Sequence, residues 1–218
     1  EICACLVGSE MCIRDRIYRK ITTYNYIKHL HACTIYMEVF ILNYKSYTNA
    51  RDASWHFLIN NSISSLPVNI ISILKSMNII LRKDFNILPN ERGYSVFTDD
   101  GYQIVVPDCP VPQKRYTVMH EIGHIVMSHI QDEERYEYEA ERFAIDVLAP
   151  ACVLWALDMH KPEDIAKLCN ISITSAHIRS ERMELLYKRE QEFLRTRGHS
   201  CFLQSPLERK VYEQFKPF

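Results

Sequence analysis

The sequence predicts an α+β fold, in which a small antiparallel sheet packs against a helical core and a helical extension follows at the C terminus. Residues 94–106 place β-branched and aromatic residues on both sides of Asp99-Asp100-Gly101, which is typical of a β-hairpin. Residues 113–129 and 134–149 have the length and apolar spacing of two longer helices. Two shorter helical patterns precede the hairpin, and several more follow the second long helix.

Composition indicates an ordinary globular chain with one good core, since 47% of the 218 residues are hydrophobic and 24% are charged. The formal net charge of -1 gives no overall attraction to nucleic acid or to an anionic membrane. No apolar run has the length of a bilayer span. The eight cysteines are scattered and form no CxxC pair, which favours a reducing compartment. We therefore expect a soluble cytoplasmic protein with neither nucleic acid nor a membrane as its partner.

The N-terminal segment does not read as part of the fold. CLVGSEMCIRDR, residues 5–16, resembles a translated sequencing-adapter fragment. Charged residues also interrupt the apolar stretch that a secretory signal requires. We expect residues 1–36 to be a spurious or disordered segment, with the true start near Met37.

A short motif in the first long helix carries the chemistry. His120 and His124 in MHEIGH are four residues apart, so their rings lie about 40° apart on one helix face and can bind one ion. Glu121 lies between them and is placed to act as general base. This HExxH arrangement is typical of zinc peptidases. The alternative is a pair of structural histidines, but a buried core helix has little use for His-Glu-His.

A catalytic metal held by two histidines needs a third protein ligand. The metzincin spacing is excluded, because it requires glycine and histidine where this chain has Met127 and Ile130. His129 lies about 180° around the helix from His120 if the helix continues, so we expect it to point away from the metal as a surface or second-layer residue. Cys109, in the loop before the helix, is an open alternative as a thiolate ligand.

Carboxylates on the second long helix are the main candidates, and the helical phase of 100° per residue separates them. Glu137 heads the apolar stripe that continues through Ala140 and Ala144. These two alanines are small enough to let the helix approach the HExxH helix closely. Glu137 is therefore the predicted third ligand.

Two further carboxylates on the same helix receive other roles. Glu139 has largely polar neighbours, so we expect a surface charge paired with Arg135 or Arg142. Glu141, one turn after Glu137, is predicted to accept a hydrogen bond from the far nitrogen of a ligand histidine.

Taken together, RYTVMHEIGHIVMSH and EYEAERFAIDVLAP resemble the ImmA/IrrE family of bacterial metallopeptidases. The family pattern is similar to R-[FY]-T-x-A-HE-x-x-H, followed by E-x-E-A-[ND]-x-F-A-x-x-L-x-P, and the resemblance covers roughly residues 40–150. This chain departs from the pattern at Met119, where alanine is common, and at Glu141, where asparagine or aspartate is usual.

The resemblance implies a zincin-like helical core of the gluzincin type with one Zn²⁺ per chain. His120, His124 and Glu137 are the implied zinc ligands, and Glu121 is the implied catalytic carboxylate. Family members often cleave helix-turn-helix repressors, so a protein substrate of that class is also implied.

The residues and the resemblance together predict amide hydrolysis by a metal-activated water, with Glu121 passing the proton from the water to the leaving amine. Tyr136, Tyr138 and His160 are all possible oxyanion donors by their chemistry. On this interpretation residues 37–150 form the zinc metallopeptidase domain.

Residues 151–218 form the predicted C-terminal helical region, and part of it is close to a helix-turn-helix. Pro162 suits a first helical position, Asn170 suits a left-handed turn, and Ser172 suits the cap of the next helix. Arg179 and Arg182 on that helix are mixed with acidic residues, which is a weak basic footprint. A helical hairpin packed on the peptidase is therefore favoured.

The alternative function is a DNA-binding or scaffolding regulator with a structural or inactive zinc site. Glu121 distinguishes the two hypotheses, because a structural site needs no general base and is usually closed by four protein ligands.

Removal of residues 1–36 is expected to leave both folding and zinc content intact, because the adapter-like segment contributes nothing to the predicted core. Thermal unfolding and atomic absorption on the full and shortened chains would measure this. A large fall in Tm on truncation would show that the segment belongs to the fold.

Overall fold

The structure, a computed structural model, describes residues 47–87, 93–129 and 133–216. The adapter-like segment lies outside these ranges, so its assignment stays a prediction. The predicted α+β class is confirmed. The elements are α1 (residues 47–60), α2 (Ile70–Ser76), β1 (Ile80–Lys83), β2 (Tyr94–Thr98), β3 (Gly101–Val106), α3 (Val111–Val126), α4 (Glu134–Leu148), α5 (Ala151–Ala156), α6 (Pro162–Cys169), α7 (Ile173–Arg197) and α8 (Pro206–Phe215).

The sheet has three strands in the order β1-β3-β2 within the described ranges. β2 and β3 form the predicted antiparallel hairpin, with Thr98 opposite Gly101 across the turn. Gly101 has a φ of 104°, a region that glycine reaches without steric cost. β1 adds a parallel strand, in which Ile80 lies opposite Gln103. The sheet is therefore mixed, and the prediction of a purely antiparallel sheet is wrong on this point. The strand was missed because it follows α2 directly and its apolar residues resemble a continuation of the helical pattern.

The two long helices differ from the prediction at their ends. α3 begins at Val111 instead of 113 and stops at Val126 instead of 129. It stops because Ser128 takes a left-handed conformation with a φ of 55°, and the backbone N–H of His129 donates to the carbonyl of His124 at 3.0 Å. This is the Schellman type of helix end. The chain therefore turns back after α3, and His129 does not continue the helical phase.

Buried apolar side chains form one cluster that extends from α1 to α8. Ile104 of β3, Met119 and Ile122 of α3 and Phe143 of α4 are all fully buried within it. The helices after residue 150 contribute to the same cluster, for example through Met183. Cys152 and Cys169 are core residues too, as the sequence predicted. The division of the chain at residue 150 stays a prediction.

The turn between α6 and α7 has the local chemistry that the sequence predicted. α6 begins at Pro162, Asn170 is left-handed with a φ of 51°, and the hydroxyl of Ser172 accepts from the backbone N–H of Ser175. Arg115 of α3 donates to the carbonyl of Asn170 at 3.0 Å. The hairpin is thus hydrogen-bonded to the helix that carries HExxH.

A charged network connects α4 to α7. The carboxylate of Asp146 lies 2.5 Å from Arg179, which is 1% exposed, and 2.7 Å from Arg142. Burial opposes the charged form of Asp146, but Arg142 and Arg179 outweigh it and hold its pKa below the usual range. Arg182 donates to the hydroxyl of Tyr47 at 3.0 Å. The two arginines on which the DNA-binding alternative was based therefore make contacts within the protein.

None of the described helices combines the length and the apolar character that crossing a bilayer requires.

Glu208 of α8 is a partly buried carboxyl beside a small cavity that Trp155, Arg189 and Phe202 also line. Burial raises the pKa of Glu208 to about 7, although the charges of Arg51 and Arg189 oppose the shift. The charged carboxylate is therefore less favourable in the folded protein than in the unfolded chain.

Glu208→Gln is expected to stabilise the protein above pH 7. The folded protein binds more protons than the unfolded chain between pH ~4.3 and the folded pKa of about 7, so the free energy of unfolding falls as pH rises through that window. Glutamine has no proton to lose, so the variant gains roughly 1–3 kcal/mol over the unmodified chain at pH 8.

Urea unfolding at pH 5 and pH 8 measures this difference. Glu184→Gln is the control, because Glu184 is exposed and pairs with Lys188 on the surface. Equal stability of Glu208→Gln and the unmodified chain at pH 8 would contradict the assignment.

Candidate metal centre

His120 and His124 lie together on one face of α3. Their ring centroids are 4.7 Å apart, and the two Nε2 atoms are 3.1 Å apart. His120 is almost completely buried, and His124 is partly buried. The i, i+4 spacing thus brings two imidazole nitrogens to one point.

Glu137 of α4 completes a cluster with these histidines. Its Oε2 lies 3.2 Å from Nε2 of His120, and its Oε1 lies 3.2 Å from Nε2 of His124. One donor atom from each of the three residues falls within 4.8 Å of the others. The side chain of Glu137 is 44% exposed, so solvent reaches the cluster from this side.

The donor set fits a metal. Two imidazole nitrogens and one carboxylate oxygen are the ligands of many catalytic zinc sites, which keep a further position open for water or substrate. No other cluster of this kind occurs among the residues that the structure describes. Cys109, the open alternative, does not belong to it.

Gly123 allows α3 and α4 to come close enough to share this site. A Cβ at Gly123 would lie 3.1 Å from Cδ1 of Phe143 and 3.3 Å from Cα of Ala140. Ala140 and Ala144 are fully buried. The close approach that the sequence predicted from small residues on α4 is confirmed, and the matching small residue on α3 is the glycine inside HExxH.

Glu121 is buried beside the cluster but outside it, with 6% exposure. Burial raises the pKa of Glu121 to about 7 and the charge of Glu137 adds to the rise, whereas hydrogen bonds from Ser95 of β2 lower it. A carboxyl that exchanges its proton near neutral pH is suited to general acid-base chemistry. A cation held by the neighbouring histidines would lower this pKa again.

The prediction that Glu139 is a surface charge is wrong, because Glu139 is only 4% exposed. Its Oε1 lies 3.6 Å from Nε of Arg135, a predicted partner, and its Oε2 lies 3.2 Å from Nε2 of His129. Helical phase describes only the neighbours of Glu139 on its own helix. The second partner, His129, lies in the segment that turns back after α3.

His129 is likewise not directed away from the histidine pair. Its Nδ1 lies 3.1 Å from Nδ1 of His124, so the second-layer half of the prediction is correct and the surface half is wrong. His129 therefore meets the far nitrogen of His124. Glu141 is partly buried, and its predicted bond to a ligand histidine stays a prediction.

The three possible oxyanion donors lie in different places. The ring of Tyr136 stacks on His129 at 4.4 Å, with 15° between the planes. Tyr138 is 48% exposed. His160 pairs with Asp158 at 2.7 Å, on the segment before α6. Tyr136 thus contacts His129, and His160 pairs with Asp158 on its own segment.

Comparison with known protein families identifies the central part of the chain. Residues 80–181 match the family model of peptidase M78, described as the IrrE N-terminal-like domain. This segment is similar to an IrrE N-terminal-like domain. The match contains α3, α4 and the whole metal cluster, and it supports a metallopeptidase. The predicted resemblance to the ImmA/IrrE family is confirmed. A search of curated proteins finds no match to the chain.

Gly123→Ala is expected to weaken metal binding at the cluster. The added methyl group meets backbone atoms of Ala140, which cannot move without moving α4. Overpacking costs roughly 1–3 kcal/mol, against a gain of about 1 kcal/mol in helix propensity. Because the two effects on stability partly cancel, the Tm should change little. The increased distance between α3 and α4 should appear more clearly as a loss of metal.

Metal retained after mild chelator treatment is the measurement. Val126→Ala is the matched control, since Val126 lies on the same helix and is 36% exposed. A Gly123→Ala protein that retains metal like this control would show that α4 adapts to the methyl group.

Proposed function

We propose that the protein is a cytoplasmic zinc-dependent endopeptidase that hydrolyses a peptide bond in a regulatory protein. The observation that carries the proposal is the convergence of His120, His124 and Glu137, with Glu121 buried next to them. A structural zinc site would need neither the open side of this cluster nor the adjacent carboxyl. The arrangement is of the gluzincin type, with glutamate as the third ligand.

Zinc is the proposed ion, with one per chain. Imidazole and carboxylate donors in a three-residue set match the ligand preferences of Zn²⁺. When bound, the ion supplies a water of lowered pKa and polarises the scissile carbonyl.

Glu121 is the proposed general base and general acid. Its carboxylate takes the proton of the attacking water and returns it to the nitrogen of the leaving amine. Hydrogen bonds from Ser95 of β2 orient this carboxylate. In this proposal His120, His124 and Glu137 hold the ion, and Glu121 moves the proton.

The position of β2 supports an extended peptide as substrate. Ser95, the second residue of β2, reaches Glu121, so the strand runs past the site. In the described part of the chain β2 pairs with β3 along one edge only. An extended peptide can add to the other edge through main-chain hydrogen bonds, which would place its carbonyls beside Glu121.

The substrate class and the location follow from other features. A helix-turn-helix repressor is proposed as substrate because the resemblance to the ImmA/IrrE family implies it. The described cysteines, Cys109, Cys152, Cys169 and Cys201, are all free thiols. Free thiols of this number fit a reducing compartment such as the cytoplasm.

Glu121→Gln is expected to retain zinc and to lose turnover, because the residue is assigned to proton transfer and not to coordination. The measurement is cleavage of a co-expressed helix-turn-helix repressor, together with zinc content by atomic absorption. Either undiminished cleavage or a protein without zinc would sink the assignment.

Glu137→Gln is the companion variant and should lose the zinc that Glu121→Gln retains. Replacing the anionic ligand with a neutral amide in a three-ligand site weakens zinc binding severely. The same two measurements then separate loss of the metal from loss of proton transfer. A Glu137→Gln protein with full zinc content would show that the third ligand is another group.

A further inference from the structure

We infer that His129 and Glu139 are positioning residues, which together fix the ring of His124 and the nitrogen that it offers to the metal. The inference rests on the proposed metal site, because His124 is one of the ligands in that proposal. Neither residue belongs to the cluster that would hold the ion. Both act through His124.

A continuous series of contacts links the three residues. Nδ1 of His124 lies 3.1 Å from Nδ1 of His129, and Nε2 of His129 lies 3.2 Å from Oε2 of Glu139. The side chains of His129 and Glu139 are 3% and 5% exposed. Hydrogen bonds shielded from water in this way hold their geometry more firmly than exposed ones.

The backbone holds His129 to the same residue. The left-handed conformation of Ser128 turns the chain back, and the N–H of His129 donates to the carbonyl of His124 at 3.0 Å. His129 is thus attached to His124 through both its main chain and its ring. Its place beside the ligand is set by the end of α3 and not by a flexible loop.

Neighbouring side chains fix the plane of the His129 ring and the position of the carboxylate. Tyr136 stacks on His129 at 4.4 Å, and the guanidinium of Arg135 lies 5.0 Å from the centre of the Tyr136 ring. Nε of Arg135 is also 3.6 Å from Oε1 of Glu139. The carboxylate is therefore held from both sides, by His129 and by Arg135.

The positions of the protons follow from these contacts. Nε2 of His124 points to the shared cluster, so a metal there leaves the proton of the neutral ring on Nδ1. Nδ1 of His124 then donates to Nδ1 of His129, which must be unprotonated. Nε2 of His129 carries the remaining proton and donates it to Glu139. Each nitrogen has one role, and the series ends on a charged acceptor.

The expected effect is on metal affinity. Partners that orient a ligand histidine typically change metal affinity by about 10- to 100-fold when they are removed. We expect His129→Leu to raise the dissociation constant for zinc by that factor, because His124 loses the acceptor that His129 provides. Glu139→Gln should raise the dissociation constant less, since an amide oxygen still accepts a hydrogen bond although it carries no negative charge.

His129→Asn is the conservative variant that should restore part of the affinity. Its amide oxygen lies close to the position of Nδ1 of the histidine ring and can accept from His124. His56→Leu is the matched control, because His56 is an exposed histidine on α1. The dissociation constant is measured by competition with a chromogenic chelator, with zinc alone and no substrate.

A second measurement reports on the ring of His124 itself. In the zinc-loaded protein with labelled histidine, the Nδ1 proton of His124 should appear in a proton-nitrogen correlation spectrum as a slowly exchanging signal. His129→Leu should lose this slow exchange and His129→Asn should retain it. A residue that only stabilised the fold would leave the signal unchanged.

The outcomes separate this inference from the proposed function. If the unmodified protein does not bind zinc, the proposed metal site fails and the inference fails with it. If it binds zinc and His129→Leu and Glu139→Gln bind equally well, the positioning role is overturned while the metal site stands. If His129→Leu does not fold, judged by thermal unfolding without metal, the affinities of His129→Asn and Glu139→Gln decide in the same way.

Discussion

The contact of α3 with α4 at Gly123 is the constraint on which the site depends. Two of the clustered residues come from α3 and the third comes from α4, so the distance between the helices sets the distance between the donor atoms. The space that a Cβ at Gly123 would fill is bounded by the backbone of Ala140. Donor atoms 3.2 Å apart leave little tolerance, since functional groups must be held within about 0.5 Å of a productive geometry. The glycine of HExxH thus belongs to the packing as much as the histidines belong to the chemistry.

The rotation of α4 about its own axis is fixed from the opposite side. Asp146 lies about 180° around the helix from Glu137. It is held there by Arg179, which comes from α7 and is fully buried. Removing one partner of such a pair leaves an uncompensated buried charge, at a cost of about 3–5 kcal/mol. The helix is therefore held by apolar contact on one face and by charge on the other, which directs Glu137 at the histidines.

The predictable part of the site is the part that regular helices encode. The shared position of His120 and His124 and the inward direction of Glu137 follow from 3.6 residues per turn, which holds while the helix is intact. His129 and Glu139 were misplaced because their environment depends on where α3 stops. Glycine or asparagine usually marks such a left-handed end, and this chain has Ser128 there. The presence of a histidine and a glutamate near the motif indicates that they could pair. It does not show where in the fold the pair lies.

The fold shows the same division. The β2–β3 hairpin was predictable because its turn residues act locally, and so were the first residue of α6 and the cap at Ser172. The parallel strand β1 was not, because its four residues carry no pattern of their own and gain strand geometry only by pairing with β3. Long-range strand pairing, and helix ends that lack a glycine, asparagine or proline signal, are therefore what the sequence left unspecified.

The hydrogen bonds of Arg115 have a consequence for how the chain could be divided. One guanidinium, on the helix that bears HExxH, donates to the carbonyl of Val68 before it in sequence and to that of Asn170 after it. A protease that removed everything beyond residue 150 would take from this guanidinium its bond to Asn170, and from the carboxylate of Asp146 its pairing with Arg179. Each group would keep one partner, Val68 and Arg142 respectively, and lose the other. A unit that keeps both contacts has to include the first turns of α7, although no residue of that helix belongs to the metal cluster.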